Sequence, residues 1–120
     1  MPGKIVHIEL PSADSGRAKT FWGTLMGWQF RPIEGPFEYH MFDGEPPGAI
    51  YPSESPGSGP VVYFGSDDID ADIARVRELG GSGEDKQPIP EVGWFAHCRD
   101  TEGNNFSLFQ SDDSVPAPGA

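Results

Sequence analysis

The 120 residues hold one cysteine, Cys98. A disulfide framework and a thiolate zinc cluster are therefore excluded. Basic residues are also scarce: 8 Lys and Arg stand against 19 Asp and Glu, a formal net charge of −11. Such a chain, with no basic cluster, repels phosphate backbones and anionic lipid, so neither nucleic acid nor a membrane is an expected partner. No apolar run approaches the roughly 20 residues that span a bilayer. The opening Met-Pro-Gly-Lys-Ile-Val-His lacks the apolar stretch of a signal peptide, and the expected location is the cytoplasm. Long helical bundles and coiled coils are excluded by 16 Gly and 13 Pro, which break helices and make turns. What is present is 36% hydrophobic and 12% aromatic residues, enough for one folded core.

Residues 4–10 alternate, with Val6, Ile8 and Leu10 on one face and His7 and Glu9 on the other, the pattern of a half-buried strand. Ser12 or Asp14 can cap a following helix by accepting from its free N–H groups. Ala18, Phe21, Trp22 and Leu25 recur at helical spacing as its apolar stripe, and Gly27 ends it. Short strands are expected near 28–34, 37–42 and 48–51, separated by Gly35-Pro36 and Asp43-Gly44. Residues 52–60, rich in Pro, Ser and Gly, read as a linker. A strand over 61–66 follows, then a helix capped by Asp68 with the stripe Ile69, Ile73, Val76 and Leu79, stopped by Gly80-Gly81. Strands near 94–99 and 105–110, with a weaker one near 83–87, complete the chain before a flexible tail over 111–120.

The two halves superpose. His7 precedes Asp14 by seven residues and Val61 precedes Asp68 by seven; His40 lies three before Asp43 and His97 three before Asp100. Continuing seven past Asp43 and Asp100 pairs Ile50 with Ser107. The fold class is α+β: two tandem β-α-β-β-β modules, 4–51 and 61–110, in a single domain over 1–110, forming a curved mixed sheet around a groove. One helix covers one face of each module, so the other face must find a second sheet. Val6, Ile8, Leu10, Val62 and Phe64 should meet the helices. Ile5, His7, Glu9, Val61, Tyr63, Ser107 and Phe109 should line the groove. For the strands at 37–42 and 94–99, the mixed sets Glu38, His40, Phe42 and Phe95, His97, Arg99 are assigned to the groove. Phe37, Tyr39, Met41 and Trp94, Ala96, Cys98 are assigned to the helices.

This pattern resembles the vicinal oxygen chelate superfamily: glyoxalase I, bleomycin-resistance proteins, fosfomycin-resistance enzymes and extradiol dioxygenases. The resemblance covers 4–110. It is carried by His-Ile-Glu-Leu-Pro at 7–11, Phe-Trp-Gly-Thr-Leu-Met-Gly-Trp at 21–28, Val-Tyr-Phe-Gly-Ser-Asp-Asp-Ile-Asp at 62–70 and Asp-Thr-Glu-Gly-Asn-Asn-Phe at 100–106. Ile-Pro-Glu-Val-Gly-Trp-Phe-Ala at 89–96 is similar to a subgroup of uncharacterised lactoylglutathione-lyase-related proteins. A homodimer is expected, because a single chain of this type leaves exposed strand edges or an open groove. The resemblance implies a metal held by His, Glu or Gln on the first and last strand of each module. Here those positions carry His7, Ile50, Val61 and Ser107, and of these only His7 is a ligand type; about three protein ligands are needed to hold an ion. No cofactor is therefore expected.

Two functions remain open. One is a metal-free protein of bleomycin-resistance type that binds a small hydrophobic or aromatic molecule. The other is a lyase, isomerase or dioxygenase of glyoxalase type using a divalent metal through His7 with His40 and His97. His7 suits general-base work, and Glu9, two residues on, can orient its imidazole; both are catalytic candidates, against the plainer reading of a groove-wall histidine and a solvated charge. Tyr63, Phe95 and Phe109, with Trp94, can form an aromatic pocket or simply pack. Arg99 can hold a ligand carboxylate or pair at the surface. His7, His97 and Ser107 complete the ligand-binding candidates.

Overall fold

The structure, a computed structural model, describes residues 3–117. The chain divides into two compact units. Residues 7–61 form the first; the N-terminal residues up to Val6 join Val62 onward in the second.

The first unit begins within β1 (Ile5–Ser12), at His7; the strand's alternation closes at Pro11-Ser12. Ser12 Oγ accepts from the Asp14 N–H at 3.0 Å, and Asp14 caps α1 (Ser15–Met26) by accepting from the Arg17 N–H at 3.0 Å. Gly27 ends α1 in the left-handed region at φ 75°, which a side chain at this position would disfavour. Three strands follow: β2 (Phe30–Pro32), β3 (His40–Phe42) and β4 (Gly48–Pro52), in the order β2-β3-β4-β1. β3 runs antiparallel to β2 and β4, and β4 runs parallel to β1.

Register fixes the faces. His40 lies opposite Ile50, Phe42 opposite Gly48, Ile8 opposite Gly48 and Leu10 opposite Ile50. Paired residues share a face, so Ile8, Leu10, His40, Phe42 and Ile50 all point the same way. That way is toward α1. Phe42, 1% exposed, stacks on Trp28 with ring centroids 3.9 Å apart, and Trp28 stacks on Trp22 of the helix at 5.5 Å. Gly48 makes room for this: a Cβ there would stand 2.2 Å from the Ile8 carbonyl oxygen and 2.6 Å from the Phe42 ring.

Two expectations are corrected here. Sequence alternation assigns Glu38, His40 and Phe42 to the face away from the helix; the structure turns His40 and Phe42 toward it. Periodicity predicts a buried α1 stripe, yet no α1 residue is buried; Phe21 and Leu25 are 59% and 61% exposed, and contact runs through Trp22.

After a 3-10 turn at Pro56–Ser58 comes β5 (Val61–Gly65), and Asp68 caps α2 (Ile69–Glu78) by accepting from the Ala71 N–H at 3.1 Å. Asp70 and Asp72 in the first turn and Arg75 and Arg77 in the last complement the helix dipole. The remaining strands are β6 (Ser82–Gly83), β7 (Gln87–Ile89), β8 (Gly93–Arg99) and β9 (Asn105–Ser111). β5 is parallel to β9; β9, β6 and β7 are antiparallel to β8. Ile69, Ile73, Ala96, Cys98 and Leu108 form the core, with Phe64, Val76, Trp94 and Phe106 packed on it. Each large side chain so buried contributes about 1.5–3 kcal/mol. Leu79, expected in the stripe, is instead the helix cap and 67% exposed.

Beyond the expected boundary at 110, residues 111–115 of the expected tail are tied to the second unit. β9 runs to Ser111. Asp112 accepts from the Trp94 indole N–H at 3.1 Å, and Val115, 3% exposed, offers its carbonyl to the Glu91 N–H at 2.9 Å. The Asp112 N–H also donates to the Val92 carbonyl at 2.9 Å, so a polar-looking segment is tied down by one buried valine and three hydrogen bonds. Residues 118–120 lie outside the described residues.

Candidate functional site

On the sheet face of the first unit that turns away from α1 stand His7, Glu9, Tyr39, Met41, Ala49 and Tyr51, by alternation from the residues packed on the helix. Three of them are joined. The Tyr39 hydroxyl donates to Glu9 Oε2 at 2.7 Å and lies 2.8 Å from His7 Nε2, with the two rings stacked at 6.3 Å and 13°. A hydroxyl has one proton. Since Tyr39 gives its proton to Glu9, it accepts from His7, and the imidazole carries its hydrogen on Nε2. Burial of His7 lowers its pKa from the ordinary histidine value, and the Glu9 charge opposes the shift. His7 is therefore neutral at pH 7. Burial, with the Glu9 charge, raises the Tyr51 phenol, which stays protonated. The array can present a polarised donor and acceptor to a ligand, or pass a proton along imidazole, phenol and carboxylate.

His40 does not join it. Its Nε2 lies 2.9 Å from Glu38 Oε1, which also accepts from the Ser15 hydroxyl at the start of α1, and its buried Nδ1 has no partner. These two hydrogen bonds hold the exposed Glu38 carboxyl below its ordinary pKa. His40 thus serves the helix face, on the opposite side of the sheet from His7.

In the second unit the face turned from α2 carries Tyr63, Phe95, His97, Arg99, Ser107 and Phe109, since Tyr63 pairs with Ser107, Phe95 with Phe109 and His97 with Ser107. His97 Nδ1 lies 2.8 Å from the Ser107 hydroxyl, which is fully buried, and Phe95 meets the His97 ring edge-on at 5.2 Å. Tyr63 is 6% exposed and is part of the packing; Phe95 and Phe109 are half-buried. Trp94 faces the α2 side, where Lys86 covers its ring at 4.5 Å. Cys98 is a buried thiol whose pKa burial raises.

The residue at the end of the first module also needs correction. Ile50 faces α1 and is 0% exposed, so it does not share a face with His7. Glu9 pairs with Ala49 as Tyr63 pairs with Ser107. Ala49 is therefore the counterpart of Ser107. The metal positions then read His7, Ala49, Val61 and Ser107, a donor set with one ligand and one neutral hydroxyl already bonded to His97. Among the described residues no group of three or more His, Cys, Asp or Glu side chains converges as a metal site would require. These residues do not fit the family metal.

Tyr39 is the site residue that sequence reasoning missed. The signal was its membership of an alternating set with Met41; Phe37, counted in that set as evidence for a core face, lies outside β3 and is 74% exposed.

Comparison with known proteins adds the following. The family profile described as "Glyoxalase-like domain" matches residues 6–109. A "Glyoxylase-like domain-containing protein" from Didymella fabae is 34% identical over 118 residues, covering 88% of this chain and 92% of its own. Methylmalonyl-CoA epimerase from Mycobacterium tuberculosis superposes with TM-score 0.69 at 16% identity, over 98% of this chain and 90% of that one. A hypothetical protein from Bacillus halodurans C-125 superposes with TM-score 0.74 at 14% identity, over 95% and 98% of the two chains. The two structural likenesses bear on the fold alone.

Proposed function

This chain belongs to the glyoxalase-like domain family, and from that premise we propose that it binds a small hydrophobic or aromatic molecule without the family's divalent metal. The observation that carries the reading is the His7–Tyr39–Glu9 array. It commits the one retained ligand residue to a phenol instead of leaving it for an ion. A neutral imidazole and a neutral Tyr51 phenol on one sheet face, beside Met41, suit an uncharged or weakly polar organic ligand. Tyr63, Phe95, His97, Arg99, Ser107 and Phe109 are proposed as ligand contacts on the corresponding face of the second unit, with Phe95 and Phe109 giving aromatic surface. The working form in this reading is a homodimer, which light scattering on the eluting protein measures directly.

The same array favours a second reading, acid–base catalysis. His7 takes a substrate proton, and Glu9 stabilises the imidazolium through Tyr39. His7 and Glu9 are then the catalytic pair, with no metal in the step.

Titration of the protein with 2-naphthol, followed by nuclear magnetic resonance, tests the binding reading. Saturable shifts at His7 and Tyr39, unchanged by chelator and weakened about two- to tenfold in Tyr39→Phe, are expected for loss of one hydrogen bond. Stoichiometric metal in protein purified without tag or chelator, lost in His7→Ala, overturns it. So does the absence of saturable binding.

A further inference from the structure

A cavity of about 350 Å³ opens in the second unit where β6 and the residue after it lie along β8. Ser82, Gly83, Glu84, His97, Cys98 and Arg99 line it. That volume falls at the lower end of the about 300–1,000 Å³ of small-ligand sites. Register places its polar groups. Ser82 lies opposite Arg99, Gly83 opposite Cys98, and the Glu84 N–H donates to the His97 carbonyl at 2.9 Å. Ser82, Glu84, His97 and Arg99 therefore share the face turned from α2, while Cys98 belongs to the core behind.

Two residues of opposite charge line this cavity without pairing. The Glu84 carboxylate and the Arg99 guanidinium have no hydrogen-bond or ion-pair partner among the described residues, and they do not pair with each other within 4.0 Å. This contrasts with Arg31, Arg77 and Lys86, each of which pairs with an aspartate. Between the two charges His97 is fixed from behind. Ser107, fully buried with His97 Nδ1 as its side-chain partner, leaves no donor unsatisfied when it gives its proton to Nδ1. The imidazole hydrogen is then on Nε2, a donor beside Arg99. Phe95, edge-on to His97 at 5.2 Å, continues the same face as apolar surface.

We propose that this cavity is a subsite for a small zwitterion with an apolar tail, an aromatic α-amino acid or a compound of that class. Its carboxylate lies on Arg99 and His97, its ammonium on Glu84, and its ring against Phe95. A carboxylate takes two donors from a guanidinium and a third from an imidazole, while an ammonium needs an acceptor of opposite charge at a short fixed distance. A simple anion would face Glu84 across the cavity, and a simple cation would face Arg99, so the wall disfavours both. The inference rests on the reading that this face of the second unit contacts a small organic ligand, and it gives this subsite a ligand with a charge pattern of its own.

Three probes separate the terms: L-phenylalanine, N-acetyl-L-phenylalanine with the anion alone, and L-phenylalaninamide with the cation alone. Each is titrated into the full chain with signals of Ser82–Glu84, His97 and Arg99 followed by nuclear magnetic resonance. L-Phenylalanine moves them saturably, and each single-charge probe binds at least about tenfold more weakly. Glu84→Gln weakens L-phenylalanine and the amide but strengthens the N-acetyl compound, whose anion no longer faces a carboxylate. Arg99→Gln weakens L-phenylalanine and the N-acetyl compound but strengthens the amide, whose ammonium no longer faces a guanidinium. Both positions are exposed, so the variants retain the fold, which the dispersion of the same spectra verifies. Equal binding of all three probes, no saturable shift, or equal losses for every probe in both variants overturns the proposal. 2-Naphthol in the same samples keeps the two readings apart. Shifts at His7 and Tyr39 with none at 82–84, 97 and 99 for L-phenylalanine refute the zwitterion site and spare the proposed function. The reverse pattern refutes the His7 reading alone.

Discussion

Phe42→Ala and Phe37→Ala together decide which way β3 faces. Phe42 is 1% exposed, stacked on Trp28 at 3.9 Å and met edge-on by Phe30 at 5.9 Å. Removing a buried phenylalanine costs about 3–5 kcal/mol. Because the Trp28 stack and the Phe30 edge interaction go with the ring, this site falls in the upper half of that range, about 4–5 kcal/mol. Unfolding entropy of about 2.1 cal/mol/K per residue gives about 0.25 kcal/mol/K for a chain of this length, so Phe42→Ala lowers Tm by about 16–20 °C. Phe37, the same residue type five positions earlier, is 74% exposed, and its truncation costs within about 0.5 kcal/mol, or about 2 °C. Thermal and urea unfolding of the two variants give the comparison directly. The opposite phase, with Phe37, Tyr39 and Met41 against the helix, predicts the reverse ranking. A Phe37→Ala loss equal to or larger than that of Phe42→Ala therefore refutes the face assignment, and with it the placing of Tyr39 beside His7.

Three further outcomes follow from the same geometry. Gly48→Ala puts a Cβ 2.2 Å from the Ile8 carbonyl oxygen, so β1 and β4 must separate; a loss of at least about 2 kcal/mol in urea unfolding is expected, and a neutral result contradicts the register. Ending the chain after Ser111 removes Val115 and the Asp112–Trp94 bond, a loss of about 2–4 kcal/mol on the same measurement, where a truly flexible tail would cost nothing. For His7 the folded pKa lies below the unfolded one, so its contribution is whole above about 6.5 and is lost as pH falls through the folded value. Wild type minus His7→Gln stability should therefore decline on acidification, and Glu9→Gln should move the His7 imidazole midpoint further down in a resonance titration; an upward move contradicts the role given to the Glu9 charge.

Much of the fold is legible in the sequence because its signals are local. Asp14 and Asp68 sit where a cap must, Gly27 where the chain must turn left-handed, and Val6-Ile8-Leu10 alternate against His7 and Glu9. Each of these depends on neighbours within a few residues. The α1 stripe misleads because periodicity reports an apolar face without reporting what covers it; Trp22 finds Trp28, while Phe21 meets Trp22 edge-on and both Phe21 and Leu25 stay largely exposed. The C-terminal segment misleads for the converse reason. Its composition is that of a tail, and one valine with three hydrogen bonds outweighs it.

The site is less legible because it depends on parity, and a sheet turns a one-residue error into the opposite face. Matching the halves by their aspartates equates Ile50 with Ser107, and both do lie opposite a histidine, His40 and His97. But the first pair faces α1 and the second faces away from α2, so the match slips by one. The parallel ladders correct it: Glu9 with Ala49 answers Tyr63 with Ser107. The correction leaves the metal argument standing, since alanine is as poor a ligand as isoleucine. It changes what surrounds His7. With His40 and Phe42 turned to the helix, Tyr39 comes to the His7 face, and its hydroxyl occupies the hydrogen-bonding capacity of His7 Nε2 and one oxygen of Glu9. Without the phenol, the half-buried imidazole and the carboxylate would each lose one hydrogen bond, at about 0.5–1.5 kcal/mol each. Tyr39→Phe recreates that condition. The variant should unfold about 1–3 kcal/mol more easily, and a neutral result would mean that the phenol does not bridge the two.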